Sequence, residues 1–543
     1  MPTLKASRLG IARIKQARKE KGWTLYDPRW LIEASKVLEP NTNWELKEEL
    51  FRGISEGTWK RWGQGKSINA PAFKAYCEVL GLNWEEIVEH HSSTIANTHQ
   101  DWGEAIDIST FYGRTVELTE LEHWIVTDRC RIVTILGMGG IGKTSLSVKL
   151  AEQIQPSFEY LIWRSLRNAP PVQELLADLI EFLSDGQETE LQPTVEGRVS
   201  QLIEYLRKHR CLLLLDDVEI VLRSGGLAGQ YREGYQGYGE LIRRVGQERH
   251  QSCLVLTSRE KPIEIASLAG ATLPVRALRV KGLPKEDARK ILEAKGFSTL
   301  KRGWEELIAL YRGNPLALKI IATTIQEIFN GDISQFLDQS TLVLGDILPS
   351  LLYQQFERLS DLEKGIIYCV AIETEPISIP ELKSDLRFSG ASLSELLSAL
   401  ESLKRRSLLE EEPSTEGSTA FLTLQPVIRK YVTNQLIEQV CKDILTVAKN
   451  QSIDKLGLLR SHALLKEQEE DNVREIHFRL IVRRVMDRLH VMSRSANSVE
   501  QQLHEVLILL KGQSPQAVGY AKINILNLLR STEDDLQQAE IFA

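Results

Sequence analysis

Short hydrophobic runs alternate with helix-like patterns through the middle of the chain. The runs RIVTIL, EYLIWRSL, CLLLLDD and SCLVLTSR lie between residues 111 and 259, and each is almost continuously apolar. Strands that are buried on both faces of a parallel sheet have this appearance. The pattern predicts an α/β domain with a parallel sheet over residues 111–272.

Helical periodicity replaces the alternation after Leu273. It is broken by GLPKEDA, by RGNP and by the acidic segment EEEPSTEGST, which lies between the apolar runs SLL and FLTL and therefore predicts a hairpin. A hairpin that follows helices is typical of a winged helix. We therefore predict a small helical domain over residues 273–345, a winged-helix domain over 346–440 and a C-terminal helical region over 441–543.

The beginning of the chain has a composition of its own. Seven of the ten tryptophans fall at or before Trp102, and the polar stretch over residues 90–104 is typical of a linker. We predict an all-α N-terminal domain over residues 1–90 and a linker over 91–110. For 543 residues, roughly three to four domains are expected.

Residues 44–87 of this first domain predict a helix, a turn at 55–57, a second helix at 58–62 and a closing helix. The order resembles the helix-turn-helix of phage-repressor-like proteins. Trp59 and Trp62 would be core or stacking residues, and the polar side chains that could face DNA are Lys60, Arg61, Gln64 and Lys66. Residues 1–90 hold 15 Lys and Arg against 12 Asp and Glu, which is weakly basic for a DNA-binding domain. A protein-interaction module is therefore favoured, with DNA binding as the alternative.

Whole-chain composition narrows the classes of function. The net charge of −7 argues against a protein that coats nucleic acid or anionic membrane over its whole surface. The six cysteines are scattered without a C-x-x-C pair, which favours free thiols in a reducing compartment. The sequence shows neither a secretory signal nor an apolar stretch near the ~20 residues of a membrane span, so we expect a cytoplasmic protein without membrane contact.

The strongest chemical signal is GMGGIGKT at residues 137–144, which fits G-x-x-x-x-G-K-[ST] between a predicted strand and a predicted helix. Glycines allow the backbone amides to curl around a β-phosphate at a helix N-terminus. Lys143 can reach the β- and γ-phosphates, and the Thr144 hydroxyl can ligate Mg²⁺. The residues expected to bind the nucleotide here are Gly137, Gly139, Gly140, Ile141, Gly142, Lys143, Thr144 and Ser145.

Two further strand ends carry candidate chemistry. Asp216 and Asp217 end the run CLLLLDD about seventy residues downstream. Asp216 is the candidate ligand of Mg²⁺ through water, and Asp217 could orient or deprotonate the attacking water. Arg259 ends the run LVLTSR, where a guanidinium can sense or stabilise a γ-phosphate.

These motifs, followed in order by GLPKEDA and RGNPLALK, resemble the NB-ARC type of STAND signal-transduction ATPases over about residues 111–440. The segment FYGRTVEL resembles the beginning of that region and would place Tyr112, Gly113 and Arg114 near the adenine and phosphates. The segment RGNPLALK resembles the family's G-x-P motif, so Pro315 would pack against the adenine. A simple helix-initiating turn at residues 313–315 is also compatible with this pattern.

The winged helix departs from the family pattern. Members often carry Met-His-Asp, whose histidine touches the ADP β-phosphate, whereas this chain has TLQP at residues 423–426. Gln425 can still donate a hydrogen bond but has no cationic form. Pro426 cannot supply the acceptor of the aspartate.

The leading hypothesis is a switch that holds ADP at rest, exchanges it for ATP, self-associates in the ATP state and resets by slow Mg²⁺-dependent hydrolysis. The resemblance implies ATP or ADP and Mg²⁺ as ligands and a protein partner at the N-terminal domain. A second hypothesis is a nucleotide-regulated transcription factor, which gel-shift experiments would distinguish. A constitutive ATPase motor is a third, and fast turnover would favour it.

Overall fold

A computed structural model describes residues 3–542, except 7, 23–26, 28, 41, 43, 45–53, 64–65, 67, 88–98, 188–189, 298–302, 339–346, 374, 414–419, 466–474 and 494–495. The chain forms two compact units, Met1–Ala96 and Asn97–Ala543. Among the described residues, no helix is both long and apolar enough to cross a membrane.

The first unit is a helical bundle with one short antiparallel strand pair. Trp59 and Trp62 are both buried, as predicted for core residues, and the Trp59 ring stacks on Trp30 at a centroid distance of 4.5 Å. The helix that carries them begins two residues before the predicted start. Residues 45–53 and 64–65 of the predicted helix-turn-helix lie outside the described residues, so that assignment stays a prediction. The elements are β1 Thr3–Leu4, α1 Arg8–Lys21, α2 Arg29–Leu38, α3 Glu56–Gly63, β2 Ile68–Asn69, α4 Ala70–Val79 and α5 Trp84–Ile87.

The second unit begins with a six-stranded parallel sheet, which confirms the predicted fold class of this region. The order across the sheet is β3-β5-β6-β7-β4-β8. All four central strands are continuously apolar runs whose side chains are buried on both faces along most of their length. The strands are β3 His99–Asp101, β4 Ile132–Leu136, β5 Tyr160–Ser165, β6 Cys211–Asp216, β7 Cys253–Ser258 and β8 Val275–Arg279.

Helices cover both faces of the sheet, and each face has its own hydrophobic core. One core contains leucines of α6 and α7, and the other contains the apolar sides of α8, α9 and α10. The helices are α6 Thr115–Glu122, α7 Lys143–Ile154, α8 Val172–Leu183, α9 Val195–Lys208, α10 Gly237–Gln247 and α11 Ile263–Leu268. The carboxyl ends of the buried strands therefore open on one edge, where α7 begins.

Both edge strands lie outside the predicted sheet. Residues 99–101, within the predicted linker, form β3 and pair with β5, and residues 275–279, beyond the predicted end at 272, form β8 and pair with β4. An edge strand has a neighbour on one side only and its side chains need not be apolar. His99, Gln100 and Arg279 are accordingly largely exposed, so these strands lack the hydrophobic signal of the central four.

After the sheet, the described chain is helical apart from one hairpin, β9 Glu410–Pro413 with β10 Ala420–Thr423. The predicted hairpin is present, with part of the acidic segment as its first strand. The helix after it is continuous across residue 440, so the predicted boundary there falls inside a helix. The helices are α12 Lys285–Ala294, α13 Trp304–Leu310, α14 Pro315–Ile328, α15 Ile333–Asp338, α16 Ile347–Phe356, α17 Asp361–Ile372, α18 Ile379–Asp385, α19 Leu393–Arg405, α20 Pro426–Asn450, α21 Gly457–Ser461, α22 Arg483–Met492, α23 Ala496–Leu510, α24 Pro515–Val518 and α25 Ala521–Phe542.

A buried ion network joins the sheet domain to the helices before the hairpin. The Arg406 guanidinium contacts Glu260, which follows β7, at 2.5 Å and Glu363 of α17 at 3.2 Å. Arg358 contacts the same Glu260 oxygen at 2.5 Å. The Arg406, Glu260 and Glu363 side chains are each at most 4% exposed. Such charges are stable in the interior only as long as each keeps its partner.

We expect Arg406→Ala to lower the free energy of unfolding by about 3–5 kcal/mol, because it leaves two buried carboxylates without their shared cation. The measurement is the first transition in urea unfolding. Arg405→Ala is the matched control. Among the described residues Arg405 forms its ion pair with the exposed Glu401, so the change should cost less than about 1 kcal/mol. Equal losses in the two variants would contradict the stabilising role of the network.

Candidate nucleotide-binding site

The loop between β4 and α7 has the backbone geometry of a phosphate-binding loop. Gly140 and Gly142 have φ angles of 77° and 95°, in the left-handed region that favours glycine. A Cβ on Gly140 would lie 2.7 Å from the Cβ of Leu316, whereas one on Gly142 would meet nothing within 4 Å. The loop is thus closed on the side of Leu316 and open beside Gly142.

Lys143 begins α7, and its side chain folds back over the loop. The ammonium group is buried and donates to the carbonyl oxygens of Gly137 at 3.0 Å and Met138 at 3.3 Å. Burial lowers the pKa of Lys143, with Glu219 as the largest opposing charge. Ser145 lies in the same first turn and is half-buried. A buried cation at a helix N-terminus is a site for an anion.

Thr144 and Asp216 meet across the sheet edge, as the sequence predicts for a metal site. The Thr144 hydroxyl donates to the two Asp216 carboxylate oxygens at 2.9 and 3.0 Å, and Thr257 of β7 donates to the same carboxylate. Burial, followed by the charge of Asp217, raises the pKa of Asp216 to about 6. A cation placed at this carboxylate would offset both effects.

Asp217 lies one residue beyond β6 in a left-handed conformation, with φ of 59°. Its backbone N–H donates to the Thr257 hydroxyl, and its carboxylate pairs with the exposed Arg167 at 3.3 Å. The side chain is 17% exposed, so it is more accessible than Asp216. Its position at the end of the strand suits a residue that acts on water.

Arg259 is also at the site, although it is held by a residue that the sequence analysis missed. The guanidinium pairs with the buried Glu219 at 3.0 Å, and Glu219 also accepts from the Arg259 backbone N–H. The Arg259 Cζ lies 3.5 Å from the position that a Cβ on Gly139 would occupy. The positive charge therefore lies against the glycine loop.

The segment before α6 reaches the loop through Arg114. This arginine is buried, has a left-handed φ of 66° and donates to the Ile141 carbonyl at 3.0 Å. Its other terminal nitrogen contacts Glu117 at 2.6 Å. Gly113 passes so close to Asp287 that a Cβ would lie 2.5 Å from the carboxylate, and Tyr112 is half-buried against the helical core.

Asn314, rather than Pro315, makes the side-chain hydrogen bond from the RGNP segment to the glycine loop. The Asn314 amide donates to the Gly139 carbonyl at 3.2 Å, while its side-chain oxygen caps α14 by accepting from Leu316 and Ala317. Pro315 occupies the first turn of that helix, which confirms the helix-initiating turn. The predicted stacking of Pro315 on adenine stays a prediction. The Leu316 N–H donates to the Gly140 carbonyl at 3.3 Å.

A cavity of about 770 Å³ lies beside the loop. Gln425 lies on its wall, as the resemblance implies, and its amide nitrogen donates to Glu410 of the hairpin at 2.8 Å. An amide nitrogen carries two hydrogens, so a second donor remains. The wall consists of Gly137, Met138, Ile141, Arg279, Val280, Lys281, Gly282, Arg312, Asn314, Lys404, Ser407, Leu409, Glu410, Glu411, Glu412 and Gln425.

The residues fit a nucleotide phosphate and its metal. The loop offers glycine backbone and a buried ammonium, and the adjacent Thr144 and Asp216 offer the hard oxygen donors that Mg²⁺ prefers. Sequence reasoning missed Asn314 and Glu219. Asn314 stood inside the quoted RGNP segment, between a glycine and a proline, where an Asn is a common helix cap. Glu219 had no local signal.

This chain is similar to several known proteins. The chain is 44% identical to an uncharacterized WD repeat-containing protein of Nostoc sp., over 98% of this chain and 46% of that protein. It is 24% identical to a probable disease resistance protein of Arabidopsis thaliana, over 40% of this chain and 29% of that protein. The chain thus spans less than half the length of these curated relatives. A Walker-type ATPase of Pyrococcus abyssi has a TM-score of 0.42 at 15% identity, covering 61% of this chain and 99% of that one.

The NB-ARC domain family matches residues 114–302. The matched range contains the glycine loop, Asp216, Asp217 and Arg259. No more than this domain is covered by the match. Residues 114–302 are therefore similar to the NB-ARC domain, and this similarity implies nucleotide binding by this part of the chain.

Proposed function

We propose that this chain is an ATP/ADP-controlled signal-transduction switch of the STAND type. The observation that carries the proposal is the composition of the nucleotide cavity, which is lined by the P-loop, by Asn314 before α14 and by Gln425 beside the hairpin. A ligand there contacts three separate parts of the chain. It can shift their arrangement by as much as its affinity differs between arrangements.

The chemistry of the site supports slow hydrolysis. Lys143 would bind the β- and γ-phosphates, and Arg259 would contact the γ-phosphate. Thr144 and Asp216 would hold Mg²⁺, which would neutralise phosphate charge. Asp217 would orient or deprotonate the attacking water. The assignment of each role is part of the proposal.

In the proposed resting state, ADP is bound and the domains are held in a closed arrangement. Exchange of ADP for ATP leads to self-association. Glu260 supports this coupling, because it directly follows Arg259 and pairs with Arg406 and Arg358, which lie in the turns after α19 and α16. A displacement of Arg259 by a γ-phosphate would therefore act on the residue that holds the closed arrangement together.

The output in this proposal is a protein contact made by the N-terminal unit. Its weakly basic charge and the Lys60–Glu56 ion pair at 2.6 Å, which offsets one of the candidate DNA-facing charges, support this choice over DNA. The named role of the plant relatives, disease resistance, supports a stress or defence setting. Measurement of oligomer size by light scattering in ADP and in ATP tests the proposal, since an unchanged size would contradict it.

We expect Lys143→Ala to weaken binding of both ADP and ATP by at least about tenfold, because each lost hydrogen bond to a charged phosphate is worth roughly 1.5–3 kcal/mol. Calorimetric titration measures this. Lys149→Ala on the same helix is the matched control, because Lys149 is exposed and paired with Glu152. Undiminished affinity in Lys143→Ala would exclude the P-loop as the binding site.

We expect Asp217→Asn to preserve ATP binding and to slow hydrolysis by about 10²–10⁴-fold, the usual contribution of a general base. Asp216→Asn should instead weaken the Mg²⁺-dependent part of ATP binding, because Asp216 would hold the metal. Titrations with and without Mg²⁺, together with phosphate release, separate the two. Identical losses of Mg²⁺-ATP affinity would show that the roles are not divided in this way.

We expect Gln425→Ala to weaken ADP about tenfold and ATP less, and to raise the oligomeric fraction in ATP. The reason is loss of a hydrogen bond to the β-phosphate, worth roughly 1.5–3 kcal/mol when the acceptor is charged. Calorimetry with both nucleotides and light scattering measure these effects. Gln435→Ala, on helix α20 that begins directly after Gln425, is the control. Equal weakening of both nucleotides by Gln425→Ala would mean that this residue does not discriminate between them.

A further inference from the structure

A second cavity, of about 400 Å³, lies among the helices that follow the sheet. Its volume falls within the roughly 300–1,000 Å³ of small-molecule sites. It shares no lining residue with the nucleotide cavity, although both reach the start of α20, one at Gln425 and the other at Pro426. Its wall consists of Glu306, Leu310, Phe336, Leu337, Ala371, Ile372, Glu373, Pro426, Arg429, Lys430, Thr433, Leu480, Ile481 and Arg484.

One part of this cavity is apolar. Leu310, Phe336, Ile372 and Ile481 come from four separate segments, and Phe336, Ile372 and Ile481 are at most 4% exposed. Leu480, at the rim, is 48% exposed. An apolar wall beside an accessible rim can take up a short hydrocarbon group from water without rearrangement of the fold.

The wall also carries three cations, Arg429, Lys430 and Arg484. Among the ion pairs of the described residues, none includes any of the three. Arg429 donates to the Glu373 carbonyl oxygen and to the Thr423 hydroxyl, and Arg484 donates to the Asn434 side-chain oxygen at 2.7 Å. The acceptors of these hydrogen bonds are therefore neutral groups. The carboxylates of Glu373 and Glu412 act on Arg429 through space, and that of Asp487 acts on Arg484.

The cations also repel each other. Burial lowers the pKa of Lys430, and the positive charge of Arg484 lowers it further. Burial lowers the pKa of Arg429 and of Arg484 as well. The first turn of α20 contains no acidic residue that could compensate the charge of these cations. The wall carries two carboxylates, Glu306 and Glu373, and three cations. An anion between Lys430 and Arg484 would replace a repulsion by two attractions.

From the apolar wall and the mutually repelling cations Lys430 and Arg484, we propose that this cavity binds an amphiphilic anion. The ligand class is a phosphate monoester or carboxylate with a short hydrocarbon group. The charged end lies between Lys430 and Arg484, and the hydrocarbon end lies on Leu310, Phe336 and Ile481. The site stands on its own geometry and does not depend on the switch function proposed above.

The test is calorimetric titration of the full chain with hexyl phosphate. An excess of ADP occupies the P-loop and removes it as a competing phosphate site. Inorganic phosphate and 1-hexanol are titrated in parallel, to measure the charge and the hydrocarbon group separately. We expect one saturable site for hexyl phosphate, with both fragments at least about tenfold weaker.

Three variants locate the site. The double variant Lys430→Gln, Arg484→Gln should weaken the binding of hexyl phosphate at least about tenfold. Leu480→Ala should weaken it about threefold, and its exposed position leaves the fold intact. Lys442→Gln, on the exposed side of the same helix, should have no effect. Absence of saturable binding to the unmodified chain, equal affinity for inorganic phosphate, or full affinity in the double variant would each overturn the proposal.

Discussion

The site depends on contacts that hold the glycine loop in one conformation from outside its own strand and helix. Asn314 bonds the Gly139 carbonyl from 175 residues away, and Arg114 bonds the Ile141 carbonyl from 27 residues away. With these carbonyl oxygens occupied by side chains that precede α6 and α14, the loop is stabilised by both neighbouring segments. A loop rich in glycine has high conformational entropy when it is free, so such contacts are needed for a preformed site.

The same contacts explain why the nucleotide cavity has walls from so many parts of the chain. Because Asn314 both caps α14 and bonds the P-loop, the start of this helix is fixed relative to the sheet. The hairpin region is fixed from a second direction by the Glu260–Arg406–Glu363 network. The cavity lies beside both attachments. A ligand inside the cavity would therefore meet segments whose positions these contacts already fix, and would not have to order them on binding.

Much of the fold and the core of the site could be predicted from sequence because their signals are local. The central strands are largely apolar runs. Lys143 and Thr144 begin a helix within a recognisable glycine motif, and Asp216 and Asp217 stand at the end of a strand. The edge strands β3 and β8 were not predicted. A strand with a neighbour on one side only can carry exposed polar side chains, so it lacks the apolar run that marks a buried strand. Ion pairs such as Glu260–Arg406 could not be predicted from local sequence. The two residues are 146 positions apart, and each alone resembles an ordinary surface charge. Arg259 was found by its strand, but Glu219, which holds it, was not.

Helix α20 has a consequence of another kind. It runs without interruption for 25 residues from the wall of the nucleotide cavity, which makes it about 37 Å long. A helix of this length moves as a stiff rod. If its first turn tilted by about 10°, its far end would swing by roughly 6 Å. A sub-ångström shift across the first turn of α20 would thus reach the C-terminal helices as a displacement comparable to the diameter of a side chain, because of the length of the helix alone.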